Sequence, residues 1–334
     1  MSGISPKFLR RQYLFLCTDP VHVGTGGYRL GRVDNSMVRE PGTNVPKVPG
    51  TSLHGAARSY AATIFEKLSC AGQGGQSTDD ATTKEGHCGN CKICHTFGFT
   101  KNSAGVQNAR SGAVNVFDAH ILLFPVHSMR GPVWITTQGG LESAGFEVPQ
   151  PAEETVLPVF FHEGKLNLGW LMFDTGRTIC LTPKKPGIFS LNCDQRWKEI
   201  AGRIVVVHES MFSHLVNSNM EVRTSVSIDP FTGAAKEKAL FTYEALPRTT
   251  VLLSDVVMDD YRTEKFGNGE AAHQTHKNNA LPEGSSWNSP IDVLHSGLDM
   301  IGLLGVGGMG TRGFGRMSIL GRPEETVYPM EAGS

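Results

Sequence analysis

The sequence predicts an α+β fold, and three observations support this prediction. Short apolar runs suited to buried strands occur at residues 11–18 and 204–208. Residues 222–228 alternate aliphatic with polar side chains, which is the period of a strand. Apolar stripes typical of amphipathic helices begin at Leu53 and Ile291. With 334 residues, 39% of them hydrophobic, the chain can bury a substantial core in one domain or two.

The first helix is predicted to follow a Pro-Gly pair, with Thr51 or Ser52 as its N-terminal cap. His54 and Arg58 are four residues apart and lie off its apolar stripe, so we expect them on the exposed side, with Lys47 just before the helix. A helix N-terminus beside such cations is suited to bind a phosphate. The alternative is an ordinary solvated helix start.

Asp34 is a candidate functional carboxylate, because it lies in a loop between Arg32 and Arg39. Next to Asn35 and Ser36 it can simply form a turn by hydrogen bonding to its own backbone. Alternatively, a carboxylate beside a phosphate track can bind a divalent metal or accept the proton of an attacking hydroxyl. The spacing alone leaves both interpretations open.

The charge distribution favours a localised nucleic-acid site. The formal net charge of −1 argues against a protein that coats nucleic acid by bulk electrostatics. Residues 1–58, however, contain eight Lys or Arg against three acidic residues. A positive face on a neutral body is typical of a protein that holds nucleic acid in a groove.

We expect a cytoplasmic protein without a membrane segment. The apolar run near the N-terminus is shorter than the core of a signal peptide, and no stretch approaches the length of a membrane span. The seven cysteines are therefore expected to be thiols or metal ligands instead of disulfides.

Residues 69–107 form a polar, Gly-rich insertion that can bury little by itself. Cys88, Cys91 and Cys94 have C-x₂-C-x₂-C spacing, which favours a structural zinc ion bound by thiolates. Cys70 is the preferred fourth ligand, His87 the second choice and His95 the third. Haem attachment would need an export route, and a ferredoxin-type cluster would need a further cysteine where Gly98 stands.

A projecting β-hairpin is predicted over residues 221–247, with a turn at residues 229–233. It would have an aliphatic side and a polar side that includes Arg223. The hairpin is either an ordinary sheet edge or an arm whose apolar residues wedge between bases while Arg223 contacts phosphate.

A helix is predicted to begin at Ser289-Pro290, with Asp292 in its first turn, and to lead into the Gly-rich loop 305–316. This loop fits the G-x-G-x-x-G pattern, but a helix precedes it and a strand follows, the reverse of a dinucleotide-binding unit. With Arg312 and Arg316, it is either a backbone surface for a polyanion or a plain flexible turn.

Several segments in this order resemble the RAMP-superfamily backbone subunit of type III CRISPR effector complexes, most closely of the Cmr (III-B) kind. They span nearly the whole chain: HVGTG (22–26), Asp34 with REP (39–41), VPGTSLHGAAR (48–58), FDAHILLFPVHS (117–128), IDPFTGAAKEKALFTYEALP (228–247) and GVGGMGTRGFGR (305–316).

The resemblance implies one RAMP domain over residues 1–334, a modified ferredoxin-like, RRM-type fold with a thumb hairpin in region 208–262. Copies of such a subunit assemble with other type III subunits along a CRISPR guide RNA and cut complementary target RNA. Asp34 falls on the position used for cleavage, and His22 and Glu244 match positions near it. We expect RNA contacts from a larger set: Arg39, Lys47, Ser52, His54, Arg58, Arg223, Gly307, Gly308, Arg312 and Arg316.

The resemblance also implies the chemistry, which is attack by the target's 2′-OH on the neighbouring phosphate, aided by Asp34 as base or as a ligand of Mg²⁺. The sequence departs from the pattern of the Cmr kind in two ways. His54 stands where family members usually have a Lys, and the cysteine-bearing insertion resembles those of Csm, III-D and III-E relatives. The alternatives are a non-catalytic guide-RNA scaffold, a guide-processing ribonuclease and a nucleotide-binding enzyme.

Overall fold

The computed structural model describes residues 7–26, 33–72, 87–103, 106–160, 164–259 and 287–329. Their helices are α1 (Gly50–Ile64), α2 (Lys92–Phe97), α3 (Gln138–Ser143), α4 (Gln195–Ala201), α5 (Glu209–Ser218), α6 (Pro290–Asp299) and α7 (Ile301–Leu304). The strands are β1 (Lys7–Cys17), β2 (Lys47–Val48), β3 (Gly98–Ser103), β4 (Val106–Ser111), β5 (Val114–Val116), β6 (Ala119–Ser128), β7 (Gly131–Thr136), β8 (Phe146–Glu147), β9 (Thr155–Pro158), β10 (Lys165–Leu168), β11 (Leu171–Thr175), β12 (Thr182–Pro183), β13 (Ile204–Val206), β14 (Glu221–Ile228), β15 (Ala235–Ala245), β16 (Val251–Asp259), β17 (Met317–Ile319) and β18 (Glu324–Pro329).

One large mixed sheet organises the described residues. Its strands run in the order β10-β11-β9-β13-β7-β6-β16-β1-β17, and β2, β5 and β18 pair alongside this path. Tyr13 and Phe15 of β1 pack into a core shared with α1 and α6, whereas Leu14 and Leu16 pack into a second core with α3 and α4. Both faces of the sheet are thus covered, which explains why β1 reads as a continuous apolar run.

The start of α1 differs from the prediction. Neither Thr51 nor Ser52 caps the helix; the cap residue is Pro49, without a side-chain hydrogen bond. Instead the Gly50 N–H donates to Asp118 Oδ1 at 2.7 Å. Gly50 lies so close to the neighbouring strands that an added Cβ would be 2.3 Å from the Val116 carbonyl oxygen, and this proximity brings Asp118 within reach.

The start of α6 is as predicted. Ser289 and Asp292 form a reciprocal capping box, in which the Ser289 N–H donates to Asp292 Oδ2 at 2.9 Å. The predicted apolar stripe of this helix, which begins at Ile291 and continues with Leu294 and Leu298, is buried. Helix α6 packs closely on α1 at Gly297. The backbone of Ala57 lies so near that no Cβ would fit there.

Strands β14 and β15 form a separate two-stranded antiparallel sheet within the region 208–262, of which residues 260–262 lie outside the described part. Glu221 pairs with Ala245 at its base, and Ile228 pairs with Ala235 near its tip. Most of its described side chains are exposed, including Phe231 in the turn. None of the described helices is long and apolar enough to cross a membrane.

Replacing Gly297 by Ala should destabilise the protein by about 1–3 kcal/mol, since the new Cβ would lie 2.2 Å from the Ala57 carbonyl oxygen and force α1 and α6 apart. Gly55→Ala is the matched control, because nothing lies within 4 Å of its Cβ position on the exposed side of α1. That control should gain up to about 1 kcal/mol from higher helix propensity. Urea unfolding measures both, and equal stabilities would contradict the close packing.

Candidate functional site

Asp34 is an exposed carboxylate held at the edge of the hairpin. Its Oδ2 accepts hydrogen bonds from the Thr242 N–H at 2.7 Å and from the Thr242 hydroxyl at 2.9 Å. These bonds hold the pKa of Asp34 below its ordinary value, so the group is ionised at neutral pH. Its Oδ1 accepts no hydrogen bond from the described residues, which leaves that oxygen available to a ligand. The turn interpretation of Asp34 is therefore incomplete, because the carboxylate is oriented by a strand 208 residues away.

The segment that follows Asp34 runs alongside the last residues of β15. Asn35 and Tyr243 form a parallel bridge, and the Glu244 N–H donates to the Asn35 carbonyl at 3.2 Å. The Glu244 carboxylate is buried, and its Oε1 accepts a hydrogen bond from the Met37 N–H at 2.8 Å. Arg39 Nη2 lies 2.7 Å from each of the two carboxylate oxygens and donates to both. Glu244 is thus engaged in holding the Asp34 segment against the hairpin, and Arg39 serves as its counter-ion.

His22 links the hairpin base to the Gly-rich loop. Its Nδ1 lies 2.6 Å from the Glu244 carbonyl oxygen, which requires the proton on Nδ1 and leaves Nε2 as the unprotonated nitrogen of the neutral ring. The His22 carbonyl accepts from the Gly308 N–H at 2.9 Å. Gly307 has a φ of +86°, and an added Cβ would lie 2.3 Å from that same carbonyl oxygen. Only glycine permits this approach.

Two of the predicted RNA-binding arginines flank this region. The Arg223 guanidinium lies 4.8 Å from the centroid of the Phe314 ring, and that of Arg312 lies 5.8 Å from the Phe241 ring. The rings of Tyr243 and Phe314 contact each other edge to face at 5.3 Å. Aromatic and cationic groups therefore meet at the base of the hairpin, which is a suitable surface for stacked bases and phosphates.

A cavity of about 380 Å³ lies between α1 and the Gly-rich loop. Ser52, Ser59 and Tyr60 contribute hydroxyl-bearing side chains to it, and the loop contributes backbone from residues 305–310. Tyr60 Oη also donates to the Gly305 carbonyl at 2.6 Å, which ties the loop to the helix. The predicted residues Ser52 and Gly307 thus lie in one concave, polar surface.

Several of the predicted RNA-binding cations are engaged with carboxylates, including Arg223, whose Nε lies 2.6 Å from Glu221 Oε1. Lys47 Nζ lies 2.7 Å from Glu40 and 2.6 Å from Asp118, and these contacts raise its pKa. Arg316 is ion-paired with Asp19. These charges are largely compensated within the protein, so they would add less to a phosphate site than their positions in the sequence indicate.

His54 and Arg58 do not lie on the exposed side of α1, so this prediction is wrong. The His54 ring packs edge to face on Phe97 at 5.1 Å, and burial, together with Arg58, lowers its pKa. Arg58 is buried, and its Nε donates to the Cys70 carbonyl at 2.8 Å. The physical reason is the insertion, because its described residues Cys70, His87 and Phe97 pack on this face of the helix.

Four cysteines of the insertion region converge on one point. The sulfur atoms of Cys70, Cys88, Cys91 and Cys94 lie within 4.8 Å of one another. Sulfurs about 3.8 Å apart are expected at the corners of a tetrahedron with Zn–S bonds of about 2.3 Å, and Cys70 lies 3.6 Å from Cys88 and 3.7 Å from Cys91. The four thiols fit a closed tetrahedral site, with Cys70 in the fourth position as preferred.

His87 is not part of this cluster. Its Nε2 lies 3.0 Å from Arg58 Nη2, and its Nδ1 accepts from the Thr100 N–H at 3.2 Å. His95 is likewise outside the cluster. Residues 73–86 of the predicted insertion, and Arg32 beside Asp34, lie outside the described residues.

The sequence model of the RAMP superfamily matches residues 15–318, which is most of the chain. The chain belongs to the RAMP superfamily. The predicted resemblance to this superfamily is therefore confirmed, and the mixed α/β architecture is that of a RAMP protein.

Among RAMP relatives, the chain is 25% identical over 255 residues to the CRISPR system Cmr endoribonuclease Cmr4 of Pyrococcus furiosus, covering 72% of this chain and 78% of that protein. Its fold resembles a chain of the type III-B Cmr-beta complex bound to cognate target RNA, with a TM-score of 0.59, 14% identity and coverage of 94% and 96%. Oligomeric Cmr4 from Pyrococcus furiosus gives a TM-score of 0.52 at 19% identity, covering 96% of this chain and 99% of that one.

Sequence reasoning missed Thr242, which orients the carboxylate of Asp34 in this RAMP chain. The alternation of β15 offered a signal, because Thr242 and Glu244 are two residues apart and therefore share a strand face. It also missed Ser59 and Tyr60, whose hydroxyls follow Ser52 on α1, and Asp118 as the partner of the helix start.

Thr242→Val should raise the pKa of Asp34 toward its ordinary value, because one of the two Thr242 donors to Oδ2 is lost. The native pKa is depressed, so wild-type Asp34 stays ionised to lower pH than the variant. Carboxyl ¹³C titration by NMR measures this, with Thr242→Ser as the control that keeps the hydroxyl. An unchanged pKa would show that the hydroxyl has no influence on the carboxylate.

Glu244→Ala should destabilise the protein by about 3–5 kcal/mol, since it leaves Arg39 without its carboxylate in a largely buried place. Glu244→Gln retains an acceptor for the Met37 N–H and should cost less. Urea unfolding measures the free energy of unfolding of both variants. Adding Arg39→Met and the Glu244→Ala/Arg39→Met double variant gives the coupling between the side chains of Glu244 and Arg39. Wild-type stability of Glu244→Ala would refute a holding role for Glu244.

Proposed function

We propose that this chain is the backbone subunit of a type III CRISPR RNA-guided complex, which binds guide RNA as a repeating filament and cleaves complementary target RNA. Membership of the RAMP superfamily supports this, as does the similarity to a Cmr endoribonuclease. The shared fold with a Cmr complex bound to target RNA and with oligomeric Cmr4 supports RNA, further copies of the chain and other type III subunits as its partners.

The observation that carries the cleavage activity is the position of Asp34. An exposed, ionised carboxylate is oriented by Thr242 at the edge of a projecting hairpin, beside His22 and the Gly-rich loop. A non-catalytic scaffold has no need to orient a carboxylate with two hydrogen bonds at such a place. We therefore assign target cleavage to Asp34.

The guide-binding surface is the cavity between α1 and the Gly-rich loop. The hydroxyls of Ser52 and Ser59 and the loop backbone can donate hydrogen bonds to phosphate oxygens without reading base sequence. Gly307 and Gly308 bring the backbone close, and Arg312 supplies positive charge next to Phe241. Arg223 lies on the hairpin side, where target RNA would pass.

In this proposal the large sheet is a modified ferredoxin-like, RRM-type core, and the β14–β15 hairpin is its thumb. Exposed aliphatic side chains along the hairpin, such as Val226 and Leu240, are suited to displace a target base. The four cysteines hold a structural zinc ion, which anchors the insertion next to α1.

The reaction follows from this geometry. Displacing one target nucleotide splays the backbone, so that its 2′-OH lies in line with the adjacent phosphate, and the products are a 2′,3′-cyclic phosphate and a 5′-OH. Asp34 presents its Oδ1 toward solvent, where it can accept the hydroxyl proton or ligate Mg²⁺, and the ion would stabilise the developing negative charge. His22 Nε2 is the ring nitrogen that is not bonded to the Glu244 carbonyl, and it can take part in proton transfer. Glu244 acts as a positioning residue.

Asp34→Ala should reduce target cleavage by a factor on the order of 10²–10⁴ while leaving RNA binding nearly unchanged. The complex is assembled with guide RNA, and evenly spaced cuts in end-labelled complementary RNA are counted with and without EDTA. Asp174→Ala is the matched control, because Asp174 is an exposed carboxylate near the opposite edge of the sheet.

Cuts that vanish with EDTA and with Asp34→Ala, but persist in Asp174→Ala, would establish the proposed activity. Stable target binding without cuts by the wild type would leave a guide-RNA scaffold. Loss of RNA binding together with cleavage in Asp34→Ala would make Asp34 structural. Cleavage of repeat RNA by the chain alone would indicate a guide-processing ribonuclease.

A further inference from the structure

Arg58 occupies an unusual electrostatic position. It is 9% exposed in the middle of α1, where it contacts the backbone of the cluster residue Cys70. Its Nε donates to the Cys70 carbonyl at 2.8 Å, and its Nη2 lies 3.0 Å from His87 Nε2. Among the described residues, no carboxylate forms an ion pair with it.

A buried cation without a counter-ion is strongly unfavourable. Arg58 lies beside the cysteine cluster, because its Nε is bonded to the carbonyl of Cys70, one of the four cysteines. Four thiolates around one Zn²⁺ carry a net charge of −2, so a metal-loaded cluster supplies the negative charge that this cation requires. Arg58 in turn offsets part of the cluster's negative charge when the two are buried side by side.

A second cation among the described residues near the cluster points elsewhere. Lys92 lies between two of the cysteines in sequence, but its Nζ donates to the Trp287 carbonyl at 2.8 Å. Arg58, in contrast, contacts the carbonyl of the ligand Cys70 and the ring of His87. Of these two described cations, Arg58 is the one placed to compensate the thiolates.

We propose that Arg58 is a positioning residue of the metal centre, which compensates the charge of the zinc-thiolate cluster and fixes Cys70 through its carbonyl. This inference rests on the zinc site of the proposed function and reassigns a residue that the sequence places among the RNA contacts. It also couples the metal to the rest of the molecule, because Arg58 and Tyr60 lie on the same helix and Tyr60 holds the Gly-rich loop.

Outer-sphere partners of metal ligands typically contribute 10–100-fold to metal affinity. Arg58→Met, which keeps the length and removes the charge, should therefore weaken zinc binding 10–100-fold. Arg58→Lys keeps the charge but loses the Nε donor to Cys70. Its zinc affinity should therefore lie between those of the wild type and Arg58→Met. Arg196→Met is the matched control, since Arg196 is paired with Asp194 on the surface.

Zinc content of the purified full chain is measured first, followed by competition with a chromophoric chelator. Cobalt substitution then reports the ligand set through the thiolate-to-cobalt charge-transfer bands, which should persist in Arg58→Met at higher cobalt concentration. Thermal unfolding with and without metal separates charge compensation from packing. The metal-loaded Arg58→Met variant should unfold at a lower temperature than the metal-loaded wild type. Without metal, the variant should unfold at no lower temperature than the wild type.

Wild-type zinc affinity in Arg58→Met would overturn the inference, as would equal destabilisation of the metal-loaded and metal-free forms. A wild-type chain that binds neither zinc nor cobalt would instead refute the zinc site itself. Neither result depends on RNA cleavage, so target cutting by Asp34 can stand or fail separately.

Discussion

The buried carboxylate of Glu244 holds the candidate cleavage site together. Its carboxylate accepts hydrogen bonds from the Met37 N–H and from Arg39 Nη2, so the segment after Asp34 is fixed against the end of β15. The Glu244 carbonyl lies within hydrogen-bonding distance of His22 Nδ1, and the His22 carbonyl in turn accepts from the Gly-rich loop. The His22 segment, the segment after Asp34 and the hairpin therefore meet at one residue, while Thr242 on the same strand orients the exposed Asp34.

The division of labour among the carboxylates follows from burial. Glu244 is buried and paired, and a group so engaged cannot readily approach a substrate. Asp34 is exposed, receives hydrogen bonds on one oxygen and leaves the other facing solvent. A carboxylate that is both ionised and accessible is suited to bind a cation or accept a proton. Burial thus separates Glu244, which holds the site together, from Asp34, which is accessible to a ligand.

The basic residues divide in a similar way. Arg39, Lys47 and Arg316 neutralise carboxylates within the fold, and Arg58 faces the cysteines. Arg312 instead lies over the ring of Phe241 near the hairpin, and Arg223 lies over the ring of Phe314 in addition to its ion pair with Glu221. Among the described residues of the N-terminal segment, Arg39, Lys47 and Arg58 are therefore used for structure. In the proposed function, these three cations add little to the binding of RNA phosphates.

The sequence by itself determined features that depend on neighbours in the chain. The capping box of α6 joins residues three apart, the strand β1 follows from one apolar run, and three of the four cluster cysteines lie within seven residues. A family resemblance, carried by motifs in a fixed order, also predicted Asp34 as the cleavage residue, and this stays a prediction.

Only the tertiary structure decided what the remaining side chains contact. The partner of Asp34 is 208 residues away, the cap of α1 comes from Asp118 in a neighbouring strand connection, and Arg58 turns inward because the insertion covers its helix face. Periodicity can tell that a side chain lies off the apolar stripe of a helix. It cannot tell whether solvent or another segment covers that side, because this depends on where distant parts of the chain pack.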